Sequence, residues 1–355
     1  MAKGYFGRWP DDQLRSYGQP LTEAADAAAA VVGGWITHTI RVGRSVLALR
    51  TIDPTLHALF VRATWHLTSH EPATITISVC DEASAAAAPP AEPSWTAEYW
   101  RHEGAETVLY FDRDLGTVSW SDTASRNALW WIPSAAAVPP WERPAPLRTL
   151  IDRLVGPTGA TLVHAGVVGD DHGGVLMAGR GGSGKSTSIV MCVASGLCTG
   201  GDDFLLVENG DVPPTARSLY ATARLVPTSP AWAHFTPDPA AIEVPIDADS
   251  EDVNLSKRTI YLGEQFPGRV RDSFEIRAVV IPTVTAGETR LSPIRPAQAL
   301  LALAPSSMLQ LDPRASALRA IADLVRQVPC FGLDLGSDTE QVPLVIASLL
   351  GQGAQ

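Results

Sequence analysis

An α/β domain on a mixed sheet, preceded by an α+β accessory domain, is the fold class that three features of this 355-residue sequence predict. Strand-like runs precede a Gly-rich loop that leads directly into an apolar helix. Upstream, short segments rich in β-branched and aromatic residues alternate as half-buried strands do. Between the two parts lie five prolines, Pro133, Pro139, Pro140, Pro144 and Pro146, around small residues, a composition that reads as a linker. The expected division is therefore residues 1–140 and residues 141–355.

Composition narrows the function classes. Hydrophobic residues make up 45% and charged residues 18%, the balance of a globular chain. The formal charge of −11, without a basic block, argues against a nucleic-acid partner. No stretch approaches the roughly 18 apolar residues that cross a bilayer. The first ten residues also lack a signal-peptide core, so no membrane is expected and the expected location is cytoplasmic. Cys80, Cys192, Cys198 and Cys330 have no metal-ligand spacing. The chain writes 24 of its 27 cations as arginine and keeps only Lys3, Lys185 and Lys257 as lysine. Where arginine is the default, a retained lysine points to a site that needs a compact point charge.

In the first part, Thr37–Val42, Thr74–Val79 and Thr107–Phe111 carry the strand pattern. Eight of the ten tryptophans lie there, enough for a separate aromatic core. Residues 81–94 are Ala- and Pro-rich and read as a surface loop. In the second part, Leu147, Leu150, Ile151 and Leu154 recur at helical spacing. Thr161–Val168 and Val175–Met177 then read as two strands around a polar turn. The loop follows, with a helix to about Ser195 that Gly196 stops. A later helix carries Leu318, Ile321, Val325 and Val328 and ends at Pro329.

The loop itself is Gly179-Arg180-Gly181-Gly182-Ser183-Gly184-Lys185-Ser186, followed by Thr187, and it fits G-x-x-x-x-G-K-[ST]. Glycines let successive N–H groups turn inward as a nest for phosphate oxygens. The helix behind adds its positive end. Lys185 can reach the terminal phosphates of a nucleoside triphosphate, and the Ser186 hydroxyl can ligate Mg2+. Asp202 and Asp203 follow in Gly200–Val207. A short return strand at Leu197–Thr199 would bring both to the phosphate edge. Two adjacent carboxylates can divide the labour there, one on a metal and one accepting a hydroxyl proton. A solvated Asp-Asp turn is the alternative.

If Val168 pairs with Val175, His164 falls opposite Gly179 at the mouth of the loop, either orienting an acid or serving as a core histidine. Lys257, just before or inside a strand, can reach a transferred phosphate or its acceptor, or be a surface lysine. Arg224 and Arg258 are weaker candidates of the same kind. The chain has no Asn-Lys-x-Asp guanine-reading segment, no Leu-Ser-Gly-Gly-Gln transporter signature and no eukaryotic-kinase loop motifs.

His164-Ala165-Gly166-Val167, Gly179–Thr187 and Gly201-Asp202-Asp203-Phe204 together resemble the HPr kinase/phosphorylase-like kinases. The likeness spans about residues 147–350 and is nearest the diverged members encoded beside peptide-modification genes, such as lasso-peptide tailoring kinases. It implies a mixed-sheet P-loop kinase fold, shared distantly with phosphoenolpyruvate carboxykinase, and transfer from ATP with Mg2+ to a serine hydroxyl. By the same resemblance, Gly179, Gly181, Gly182, Ser183, Gly184, Lys185, Ser186 and Thr187 bind nucleotide. Asp202 is then the acid/base, Asp203 and Ser186 hold metal, and His164 stands near the catalytic Asp. The family's second signature, after the Asp-Asp pair, is not found here, which argues against HPr as acceptor and against reverse phosphorolysis. The expectation is an ATP-dependent kinase acting on a peptide or protein, with a small-molecule kinase or a nucleotide-binding scaffold as rivals and a homo-oligomer left open.

Overall fold

The computed structural model of the chain describes residues 6–96, 101–210, 213–235, 242–243, 256–310 and 315–351. Its contacts divide into two compact units, Met1–Pro139 with Arg153–Thr158, and Pro140–Asp152 with Gly159–Gln355.

The first unit runs β1 (Phe6–Arg8), α1 (Asp11–Val31), β2 (Ile36–Val42), β3 (Ser45–Thr51), α2 (Pro54–Thr64), β4 (Ile75–Asp81), α3 (Glu82–Ala85), β5 (Arg101–Glu103), β6 (Thr107–Asp112), β7 (Thr117–Asp122) and β8 (Asn127–Ile132). Among the described residues its strands form one sheet in the order β1-β5-β6-β7-β8-β4-β3-β2. In α1, Leu14, Tyr17, Leu21, Ala25 and Ala28 repeat on one face and are buried with Trp120 and Trp131. The aromatic core expected from the tryptophans is thus present. α2 starts where Asp53 accepts a hydrogen bond from the Leu56 N–H at 2.8 Å, with Pro54 at the first position. The segment read as a loop from residue 81 begins instead as the end of β4 and the short α3. The Asp81 carboxylate accepts from the Ser84 N–H, an N-cap that outweighs the low-complexity composition.

The second unit follows as α4 (Arg148–Val155, its last residues counted with the first unit), β9 (Ala160–Val163), β10 (Ala165–Asp170), β11 (Gly173–Ala178), α5 (Lys185–Ala194), β12 (Cys198–Gly201), β13 (Leu205–Glu208), β14 (Thr215–Ser218) and β15 (Thr222–Leu225). Then come β16 (Ile242–Glu243), β17 (Arg258–Tyr261), α6 (Leu262–Gln265), β18 (Ser273–Val284), β19 (Arg290–Pro293), α7 (Pro296–Gln310), α8 (Ala315–Gln327), β20 (Cys330–Leu335) and α9 (Gln341–Leu349). Among the described residues the main sheet runs β12-β10-β11-β18-β14-β13-β9, with β20 also on β18 and β19 on β20. It is mixed: β11–β18 and β18–β20 are parallel, whereas β10–β11 and β13–β14 are antiparallel. The unit is therefore an α/β domain.

Strand alternation serves both faces of that sheet. Leu176 and Ala178 pack with Leu303, Leu324 and Val325 of α7 and α8. Val175 and Met177 pack with Ile189, Val193, Val342 and Ile346 of α5 and α9. Each of the larger side chains among them, fully buried, contributes about 1.5–3 kcal/mol. β11 is thus clamped from both sides, which fixes the end from which the Gly-rich loop departs.

Three sequence expectations change. Thr161–Val168 is two strands, because the chain bends at His164 and β9 joins β13 while β10 pairs with β11. The reason is local: the His164 N–H donates to the Ser307 hydroxyl of α7 at 3.0 Å instead of to a strand. The helix expected from Leu147 begins at Arg148, since Leu147 has φ of 63°. The end of the supposed linker is folded onto the second unit, where the Tyr220 hydroxyl donates to the Pro146 carbonyl and that of Thr222 to Pro144.

Candidate active site

β11 ends at Ala178, and the chain turns through Gly179–Gly184 into α5. Gly182 and Gly184 have φ of 79° and 94°, in the left-handed region. A Cβ on Gly184 would also lie 2.3 Å from Leu335 Cδ1, so the position excludes any side chain. No side chain caps α5, so its first amides are free to bind an anion. The loop faces a cavity of about 540 Å³, whose far walls carry His164, Asp203, Arg224, Lys257 and Ser229. The Ser183 hydroxyl is buried here without a hydrogen-bond partner, as a group that waits for a ligand oxygen would be.

Lys185 lies almost wholly inside. Its Nζ donates to the Asp202 carbonyl at 2.5 Å, to Asp202 Oδ1 at 2.8 Å and to Asp203 Oδ1 at 3.2 Å. Burial opposes the ammonium, but the two carboxylates outweigh it and raise its pKa. β12 delivers the pair. It runs antiparallel to β10 and stops at Gly201, so the expected return strand exists, displaced by one or two residues. β10 passes so close beneath that a Cβ on Gly166 would meet Ile189 Cδ1 at 2.1 Å and the Asp202 carbonyl oxygen at 2.7 Å. Only glycine fits between α5 and the aspartate.

The two aspartates are not equivalent. Asp202 has no exposed side-chain surface, and its Oδ2 faces the Arg224 N–H at 3.5 Å. It does not line the cavity. Asp203 does, with its side chain 19% exposed. Burial pushes its pKa up, yet Lys185, His164 and Arg224 together hold it well below the usual carboxylate range. Oδ1 of Asp203 takes both Lys185 and His164, which leaves Oδ2 for a ligand. Asp202, expected to meet the acceptor hydroxyl, is paired with Lys185 behind the cavity wall, and Asp203 is the carboxylate that lines the cavity.

Val168 pairs with Val175 as expected, and this register ends at Ala165 opposite Ala178, so that His164 and Gly179 both follow at the cavity. His164 Nε2 is 3.5 Å from Asp203 Oδ1, and Nδ1 of the same ring is buried without a partner. The ring stacks on Phe204, with centroids 5.2 Å apart and planes at 29°. The Arg148 guanidinium lies 5.2 Å from the Phe204 centroid and pairs with Glu142 at 2.7 Å. Arg148 was beyond reach of the sequence, with no motif around it, and Phe204 stands in the Gly201–Phe204 string without a role assigned to it.

Lys257 and Arg224 come from a separate small sheet, in which β17 pairs with β15 and β16. Leu225 pairs with Arg258, so Lys257 extends past the pair towards Val226 at the cavity rim. Lys257 makes neither a hydrogen bond nor an ion pair among the described residues. Desolvation lowers its pKa, partly offset by Asp203 and reinforced by Arg224. Arg258 instead approaches the Trp232 ring and does not line the cavity. Thr187 turns its hydroxyl to that of Ser229 at 2.9 Å and ties the start of α5 to the cavity's outer wall.

No group of three or more His, Cys, Asp or Glu side chains able to hold a metal occurs among the described residues. A nucleotide-bound Mg2+ asks for less: one or two protein oxygens, with phosphate and water supplying the rest. Ser186 and Asp203, both lining the cavity, are the oxygen-bearing side chains that fit that need. Among the described residues no helix is long and apolar enough to cross a membrane.

No protein-family model matches the sequence, and no curated protein matches it. Among solved structures the chain is similar to the Hpr(Ser) kinase/phosphatase from Coxiella burnetii, at 10% identity with a TM-score of 0.31, over 54% of this chain and 95% of that one. That likeness is distant, and the functional reading rests on the side chains of the cavity.

Proposed function

We propose that the chain binds ATP with Mg2+ in this cavity and transfers the γ-phosphoryl group to a hydroxyl, that of a serine in a peptide or protein. The observation that carries the reading is the pairing of a phosphate-binding loop with Asp203, a cavity-facing carboxylate held ionised beside it. Charge supports it too. Arg180, Lys185, Arg224 and Lys257 line the cavity against Asp203 and the Asp202 behind it, an excess of cations that suits a bound polyphosphate.

The residues then divide as follows. Loop amides and Lys185 bind the β- and γ-phosphates, and Thr187 fixes the loop's exit. The Ser186 hydroxyl would hold Mg2+, which when bound neutralises phosphate charge. Asp203 Oδ2 orients the acceptor hydroxyl and takes its proton as the new O–P bond forms and the bond to ADP breaks. His164 steadies Asp203. Lys257 meets charge on the phosphoryl group in flight, a duty for which an ammonium on the cavity wall is suited. The absence of a guanine-reading segment favours ATP over GTP.

The test is transfer itself. Purified protein is incubated with γ-labelled ATP, Mg2+ and a panel of serine-containing peptides. The expected result is label on a serine with an equal yield of ADP. Tight ATP binding with no label reaching any peptide, protein or small alcohol would replace the kinase by a nucleotide-dependent scaffold.

A further inference from the structure

Phe204 follows the aspartate pair directly, and its ring is not the filler of a general core. It is buried between the His164 imidazole and the Arg148 guanidinium, each 5.2 Å from its centroid. Arg148 is itself immobilised. Its Nη1 pairs with Glu142 Oε2 at 2.7 Å and donates to the Trp141 carbonyl at 3.2 Å, while Glu142 Oε1 accepts from the Leu147 N–H at 3.0 Å. His164 lacks such anchors on its own ring: Nδ1 has no partner, and Nε2 reaches Asp203 at only 3.5 Å. A histidine with one long hydrogen bond can rotate about its side-chain torsions unless a surface holds its plane. Phe204 supplies that surface.

We propose that Phe204, braced by Arg148, is the positioning residue of this site: its ring holds the His164 imidazole with Nε2 towards Asp203. The inference rests on the phosphoryl-transfer reading and adds to it residues that touch neither nucleotide nor acceptor. The ring edge matters less than the ring face, so tyrosine should serve as well as phenylalanine and a branched aliphatic should not. Arg148 then acts three contacts away from Asp203 and Glu142 four, by keeping the stack in place.

The experiment uses the full chain and has two readouts. Nitrogen-15 spectra of the imidazoles should show His164 in a single Nε2–H form in the wild type and in Phe204→Tyr. In Phe204→Leu the signals should average between the two tautomers. In kinetics, Phe204→Leu should lower kcat about 10-fold or more with KM for ATP within about 2-fold, since misplacement near the chemistry affects the transition state. Phe204→Tyr should recover wild-type kcat within about 2-fold. If Phe204→Leu does not fold, Glu142→Gln with Arg148→Met keeps the side-chain volume, removes the brace and should give the same averaging. An unchanged single tautomer in the folded variant overturns the inference, whatever the activity. So does an unchanged kcat in a wild-type enzyme that transfers phosphate. Absence of transfer in the wild type instead counts against the kinase reading alone, and the spectra still decide the stack.

Discussion

The ammonium of Lys185 rests on Asp202, 2.5 Å from its carbonyl oxygen and 2.8 Å from its carboxylate. The residue that the loop motif assigns to phosphate is thus already neutralised, by an aspartate with no exposed side-chain surface. Lys185→Ala should weaken ATP binding and also strand a buried carboxylate, at a cost of about 3–5 kcal/mol in stability. Lys185→Met with Asp202→Asn should recover most of that stability but not ATP affinity. Denaturant titration and calorimetry separate the two effects, and an ATP affinity unchanged in both variants would remove the loop from the site.

The unequal burial of the aspartates predicts unequal variants. Asp202→Asn should destabilise the fold, because it halves a buried ion pair. Asp203→Asn leaves Lys185 its Asp202 partner, so it should destabilise less than Asp202→Asn while losing transfer by about 100-fold or more, the scale of a lost general base. Chemical denaturation beside turnover measurements checks both. Exchanged phenotypes would return the acid/base role to Asp202. A steep rise in the Mg2+ requirement of Asp203→Asn would make it a metal ligand first.

Lys257→Arg keeps the charge but replaces a compact ammonium with a planar fork that needs more room. Since Lys257 lines the cavity and is half-buried without a hydrogen bond or ion pair among the described residues, turnover should fall about 10-fold with the melting temperature unchanged. Arg258→Lys, one residue along and outside the cavity, should leave turnover within about 2-fold. Equal, negligible effects at both positions would retire Lys257.

Gly166→Ala adds one methyl group where β10 slides under Asp202 and α5. The overpacking should cost about 1–3 kcal/mol and lower the melting temperature. It should also cut turnover more than ATP affinity, because the displaced backbone carries the aspartates. A variant as stable and active as wild type would mean that α5 and Asp202 yield easily.

The first unit should be sensitive to acid. Burial pushes His38, beside His57, and His66 down from the ordinary 6.5 to about 4. Between those values the unfolded chain binds more protons than the folded one, so stability falls as pH drops from 6.5 towards 4 and levels off below. Tryptophan fluorescence reports mainly on this unit, which holds eight of the ten tryptophans. Replacing both histidines by glutamine should flatten the decline, and an equal slope in the variant would assign it to other groups.

The loop was legible because its chemistry is local: glycines, a lysine and a hydroxyl within eight consecutive residues. The place of His164 was legible because a two-residue period transmits register from Val168 and Val175 without further information. The split between Asp202 and Asp203 was not. Two identical side chains in sequence differ only in what the folded chain puts around them, here Lys185 from α5 and Arg224 from β15. The break at His164 was hidden for the same reason, since its cause is a hydroxyl 143 residues away on α7. Arg148 gave no signal because its partner ring and its counter-ion come from different segments.

β11 leans in parallel on β18, a strand made about a hundred residues later. During synthesis, then, the whole phosphate-binding motif leaves the ribosome long before its supporting neighbour exists. Until residues 273–284 emerge, one flank of β11 stays unpaired and prone to adhere to other chains. For a growing chain, the proposed nucleotide site gains a fixed root only once this later strand has been made.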